Sequence, residues 1–241
     1  MIHVFTWRWR QEYRHAFKAE YANVLERMVR RNYDGDLRFV TITDDPEGIG
    51  GETFPLWDDF SDLPNASSAT VGDLPSCYRR LKLFDPDTQK ALGVGEGDSI
   101  VSIDLDMVVV GNLNKLWDRD EDFVGWRVNN KVNTTSYNGS MWMLRPGAYP
   151  QVWKSFRPDW SPKIAKREGY NGSDQAWMSY VIGKQAGWTI EDGFYTRTGT
   201  MGAGRQSAPP ADAVVVSFHG RVKPWDAIAG EGPAWVSRYW R

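Results

Sequence analysis

The sequence predicts an α/β fold with a mostly parallel central sheet flanked by helices, and three observations carry that prediction. The chain opens strand, helix, strand. Short apolar strand candidates then recur between helical patterns. Two of those strands end in residues that bear chemistry, which is where open α/β sheets bind ligands.

The opening strand is Ile2–Trp7, a short apolar run. A helical pattern follows, with Tyr13, Phe17, Tyr21, Val24, Leu25 and Met28 recurring at three- and four-residue spacing. Asn32-Tyr-Asp-Gly ends it, and Leu37–Thr43 is the second strand, closing on Asp44-Asp45-Pro46. Such a unit implies parallel strands joined by a right-handed crossover. Residues 48–72 are rich in Gly, Pro, Ser and Asp and read as a long loop. Ser76–Phe84 reads as helical until Asp85-Pro86 stops it. Gly93-Val-Gly-Glu-Gly97 has the glycine density of a dinucleotide loop, but it precedes a strand instead of opening a helix, so that reading is rejected. Ser99–Ile103, Phe123–Trp126, Met141–Leu144 and Ala213–Phe218 are further strands. Pro150–Phe156 and Ser173–Val181 are helical, the latter with Ser173 as its N-cap. No repeat or linker divides the 241 residues, so one domain is expected over 1–241. Its first half would be about 1–110, its second about 111–225, and 226–241 a C-terminal tail.

Composition excludes more than it assigns. Charged residues are 25%, hydrophobic residues 41%, and the net charge is -2, which gives no support for a protein that coats polyanions. The single cysteine, Cys77, rules out an internal disulfide. With no signal-peptide core in MIHVFTWRWR and no membrane-length apolar run, a soluble cytoplasmic protein is expected. The 13 tryptophans are read mainly as core.

The chemistry begins at Ile100-Val-Ser-Ile-Asp-Leu-Asp-Met-Val-Val-Val110, where two carboxylates sit inside an apolar run. Desolvated anions without a partner are costly. At a strand end both can turn onto one cation, and oxygen ligands suit Mg²⁺ or Mn²⁺. His219 ends another strand, which tips the preference to Mn²⁺. Gly220 allows close backbone approach and Lys223 adds a cation, a set that suits a diphosphate.

The order Asp104-Leu-Asp106, Tyr137-Asn-Gly-Ser-Met-Trp142, Ser173-Asp-Gln175 and His219-Gly-Arg-Val-Lys-Pro-Trp225 resembles the GT-A glycosyltransferases of the glycogenin and galactosyltransferase type, family 8-like enzymes. The resemblance implies a metal-dependent transferase that uses a nucleotide-sugar donor, UDP-linked, and retains configuration, with residues about 1–110 as its nucleotide-binding half and about 111–225 as its acceptor and sugar half. It implies Asp104, Asp106 and His219 as ligands of Mn²⁺ (or Mg²⁺), with Lys223 and Gly220 on the phosphates. Asn138, Gly139, Asp174 and Gln175 would face the donor sugar, the last two in the catalytic role. Thr6, Tyr13 and, more weakly, Asp44 would lie near base and ribose, with Leu105 between the two aspartates. Arg79 or Arg80 stands where the family has a basic residue before Asp-x-Asp. The acceptor is left open among a glycan, a protein, a lipid-linked sugar and a modified nucleic-acid base. Arg8, Arg10, Arg14, Arg30 and Arg31 keep the last of these in view.

Blander readings stand beside these. Asp104 and Asp106 could be solvated carboxylates of a turn, Asp174 a first-turn acid favoured by the helix dipole, and Asn138-Gly139 a tight turn. A haloacid-dehalogenase-type phosphatase would use Asp104 as nucleophile and Asp106 as general acid, with Glu191-Asp192-Gly193 as its later acidic turn. A non-catalytic carbohydrate-binding protein would use the tryptophans.

Overall fold

The computed structural model describes residues 1–10, 17–63, 77–127, 136–197 and 207–241. Tyr13 and Arg14 lie outside them. In chain order the elements are β1 (Ile2–Arg8), α1 (Ala19–Arg31), β2 (Leu37–Thr43), β3 (Glu52–Pro55), a 3₁₀ helix (Cys77–Phe84), α2 (Pro86–Ala91), β4 (Ser99–Ile103) and β5 (Met107–Val109). Then come α3 (Asn114–Trp117), β6 (Phe123–Trp126), β7 (Asn138–Leu144), α4 (Gln151–Lys154), α5 (Ser161–Arg167), α6 (Asp174–Ile182) and β8 (Gly187–Trp188). A second 3₁₀ helix (Ile190–Asp192), β9 (Phe194–Thr196), β10 (Val215–Ser217), α7 (Pro224–Asp226), a π-helical turn (Ala227–Glu231) and α8 (Val236–Tyr239) complete the order.

The large sheet runs β3-β2-β1-β4-β7-β6-β8. β1 pairs in parallel with β2 and β4, as the strand-helix-strand opening requires, and β3 extends that parallel half. β7 is the exception, antiparallel to both β4 and β6. A small second sheet, β5-β10-β9, stands beside it. Strands buried on both faces need apolar side chains throughout. One face carries Val4, Phe39, Val101 and Met143 against Leu25, Met28 and Val29 of α1. The other carries Phe5, Val40, Ile100 and Trp142 against the 3₁₀ helix and α6.

Several expectations are corrected. The long loop of 48–72 contains β3, an edge strand of four residues too short and too broken by Pro55 for periodicity to reveal. Asp85-Pro86 does stop the preceding helix, but it also starts α2: the Asp85 carboxylate accepts the Thr88 N–H, and Pro86 takes the first turn, where no N–H is needed. Ser173 occupies the N-cap position of α6 but makes no side-chain cap there. Asn138-Gly139 is not a turn; it begins β7. Residues 226–241 are packed, with Trp235, Val236 and Trp240 all buried in the core they share with α1.

Candidate active site

The carboxyl ends of β4 and β10 meet the start of β7 and the start of α6, and this junction gathers most of the singled-out residues. Asp104 leaves β4 with its N–H donating to the Ser140 carbonyl at 2.8 Å. Two residues on, the Asp106 carbonyl accepts the Phe218 N–H at 3.0 Å, which ties the acid pair to the segment after β10. Each carboxylate has its own cation. Arg80 Nη1 donates to Asp104 Oδ1 at 2.5 Å, and Lys223 Nζ to Asp106 Oδ2 at 2.5 Å. Two anions in an apolar run are therefore tolerated through two ion pairs from distant parts of the chain.

Arg80 is the hub. It is buried, and besides Asp104 it reaches Asp174 Oδ2 through Nε at 2.8 Å and Nη2 at 2.7 Å, and the Gly139 carbonyl at 3.1 Å. Asp174 is 1% exposed, and its other oxygen accepts the Ser173 hydroxyl at 3.0 Å. That explains why Ser173 does not cap the helix: its hydroxyl is engaged by the neighbouring side chain. Gly139 makes room for the same packing: a Cβ there would lie 2.7 Å from Arg80 Nη2, so any side chain would have to displace the guanidinium. The Gly139 N–H donates to Gln175 Oε1 at 3.1 Å, so both polar groups of this glycine are fixed by the site. Arg79, the other basic candidate, points elsewhere: its guanidinium lies over the Trp9 ring at 6.0 Å.

The electrostatics follow from this crowding. Burial, above all, and the carboxylates of Asp106 and Asp174 push the Asp104 carboxyl up to about 7, against the opposing pull of Arg80. Burial likewise works against the Arg80 charge, but Asp174 and Asp104 outweigh it and raise its pKa. His219 is lowered, first by burial and then by Lys223 and Arg197, with Asp106 pulling the other way; its ring lies 5.7 Å from that of Trp126.

The remaining candidates have partners of their own. Thr6 donates its hydroxyl to the Ile103 carbonyl at 2.9 Å, pinning β1 to the end of β4. Asp44 accepts the Arg10 N–H at 2.9 Å beyond the end of β2. Leu105 is buried in the core. Asn138 accepts the Ser140 N–H through its side chain. Gly220 has φ +101°, a conformation that favours glycine, with open space where a Cβ would be. Among the described residues no group of three His, Cys, Asp or Glu side chains converges as a ready ligand set. Asp104, Asp106 and His219 reach the same end of the fold, but the two acids face cations. The sequence reading missed that Arg80, not Arg79, holds both Asp104 and Asp174. The signal was available only as Arg-Arg at the start of a helix, with the choice left to packing.

No family model matches the chain, and neither does any curated protein. Solved structures do. The galactosyltransferase LgtC in complex with donor and acceptor sugar analogues superposes with a TM-score of 0.58, covering 93% of this chain and 89% of that one at 15% identity. The fold is GT-A. GlyE of Streptococcus pneumoniae TIGR4, a glycosyltransferase, aligns at a TM-score of 0.54 and 12% identity over 92% of this chain and 55% of its own. The bifunctional glycosyltransferase WbbM aligns at 0.52 and 11% over 93% and 46%. The chain thus spans about half the length of these two. In GT-A terms the Arg80 cluster lies where the parallel half of the sheet ends, at the switch between β4 and antiparallel β7.

Proposed function

We propose that this chain is a metal-dependent glycosyltransferase that moves a sugar from a UDP-sugar to an acceptor with retention of configuration. The observation that carries the reading is the junction itself. Asp104 and Asp106 leave one strand end, Lys223 and His219 follow another, and Gln175 opens the neighbouring helix, all in a fold shared with LgtC.

The donor set of two carboxylates and an imidazole fits Mn²⁺, and Asp106 Oδ1, buried and without a hydrogen-bond partner among the described residues, is the atom most in need of a cation. A divalent ion held there by Asp104, Asp106 and His219 would neutralise charge on the departing diphosphate. The chain's own residues have distinct tasks. Lys223, now on Asp106, and the Gly220 backbone bind the diphosphate. Asp174 is a positioning residue: it holds Arg80, which orients Asp104. Gln175 and Asn138, half-buried at the same end, are left to face the sugar. LgtC has also been studied as an active-site glutamine-to-glutamate mutant, which agrees with a glutamine acting in such a site.

The phosphatase reading is weaker, because Asp192 serves as a cap, accepting the Thr189 N–H at 2.8 Å. The carbohydrate-binding reading is weakened because most tryptophans are buried or half-buried. Thermal unfolding with UDP tests the proposal. Mn²⁺ and UDP together should raise the melting temperature by more than the sum of each alone, and Asp106→Asn should abolish the excess. No stabilisation by UDP with Mn²⁺ in the wild-type protein overturns the reading.

A further inference from the structure

The outer side of the α4–α5 segment carries a stripe that the candidate site does not use. Lys154, Arg157, Trp160, Lys163 and Lys166 are all exposed at three-residue spacing, and Arg167 beside the last is exposed too. Val152, Phe156, Ile164 and Ala165 are buried on the opposite side. Backbone geometry keeps the stripe together. The Trp160 N–H donates to the Arg157 carbonyl at 3.1 Å, and the Arg157 guanidinium to the Lys154 carbonyl at 3.1 Å. From Trp160 onward, α5 places positions 163, 166 and 167 on one face.

Two features set this stripe apart from an ordinary solvated helix face. Between residues 154 and 168 it has five cations and two acids, Asp159 and Glu168, the latter paired with Arg167 at 3.2 Å, although the chain as a whole carries -2. Among the described residues Lys154, Lys163 and Lys166 have no ion-pair partner. In its middle stands Trp160, 50% exposed, whereas the other tryptophans are buried or half-buried. An indole at the centre of a basic stripe matches the interfacial zone of a bilayer, where the ring sits at headgroup level and the cations meet anionic lipid. A nucleic-acid groove would instead call for several stacking rings along a cleft.

We propose that the Lys154–Arg167 stripe docks the protein on an anionic lipid surface, with Trp160 as the inserted anchor. α5 packs against α6, whose first residues are Asp174 and Gln175, so docking brings the candidate site close to the membrane. The proposal does not depend on the transferase reading.

Co-sedimentation of the full chain with vesicles of phosphatidylcholine, with and without phosphatidylglycerol, tests it. Binding should require phosphatidylglycerol and weaken in high salt. K163E/K166E should lower the partition coefficient at least tenfold, since each cation near such a surface contributes roughly fivefold. W160S should weaken binding while leaving the salt dependence unchanged. Both variants change exposed positions, and unaltered melting temperatures verify their folding. No binding to anionic vesicles, binding indifferent to both variants, or binding of single-stranded DNA without any vesicle binding overturns the proposal.

Discussion

At Arg80 a single buried guanidinium holds two carboxylates from distant parts of the chain, and the consequences are measurable. Arg80→Met leaves Asp174, 1% exposed, beside Asp104 with no counter-charge, so it should cost about 3–5 kcal/mol in urea denaturation. Gly139→Ala tests the same contact from the other side. Its backbone is not in a glycine-only region, so its loss should come from pushing Arg80 aside. Combined with Arg80→Met, most of that loss should vanish; additive losses would mean that Gly139 acts through the strand alone. Asp104 supplies a pH test. Its carboxyl is raised in the folded state, so its contribution is fully present below the ordinary aspartate range and is lost as pH rises through about 7. Without added metal, stability relative to Asp104→Asn should therefore fall between about pH 4 and pH 7. A constant difference across that window would show that Asp104 titrates normally.

Elements were legible where their pattern is long or their burial complete. β1, α1, β2 and β4 could be read because a 13-residue amphipathic helix and fully apolar parallel strands leave little choice. β3, β5, β8 and β9 have two to four residues each, below the length at which alternation can be seen. Motif order in the sequence singled out the acid pair, Lys223 and Gln175, and the fold brings them to the same end of the sheet. Arg80's double pairing was not, since which of two adjacent arginines turns inward depends on packing in a 3₁₀ helix. Asp85 shows the same limit at a helix end: the dipeptide with Pro86 signals a stop, and only the capping bonds show that it is also a start. Asp85→Ala removes the bonds to the Thr88 N–H and hydroxyl and should cost about 1 kcal/mol by thermal or urea unfolding. An unchanged protein would mean that tertiary packing alone sets the start of α2.

Across the whole molecule, the segment that carries Lys223 is fastened to the first helix. Trp225 stacks on Tyr21 with ring centroids 4.0 Å apart and planes 1° from parallel, and it also meets Phe17 and Trp240. Arg31 of α1 donates to the carbonyls of Tyr239 and Arg241, closing the contact from the other side. Within His219–Trp225 the tasks are thus divided: Lys223 lies on Asp106, Pro224 is buried at the start of α7, and Trp225 anchors the segment. Trp225→Ala should therefore do two things. Losing the stacked ring should destabilise the protein by about 2–4 kcal/mol, the range of large-to-small changes at partly buried aromatic sites. Lys223 should also lose its fixed position, and under the proposed transferase function UDP affinity should then fall although Trp225 need not touch the nucleotide. Trp225→Phe keeps a ring against Tyr21 and should recover most of both. Calorimetric titration of UDP into the two variants separates the effects: if Trp225→Ala binds UDP as tightly as wild type while melting earlier, the aromatic anchor supports the fold without positioning Lys223.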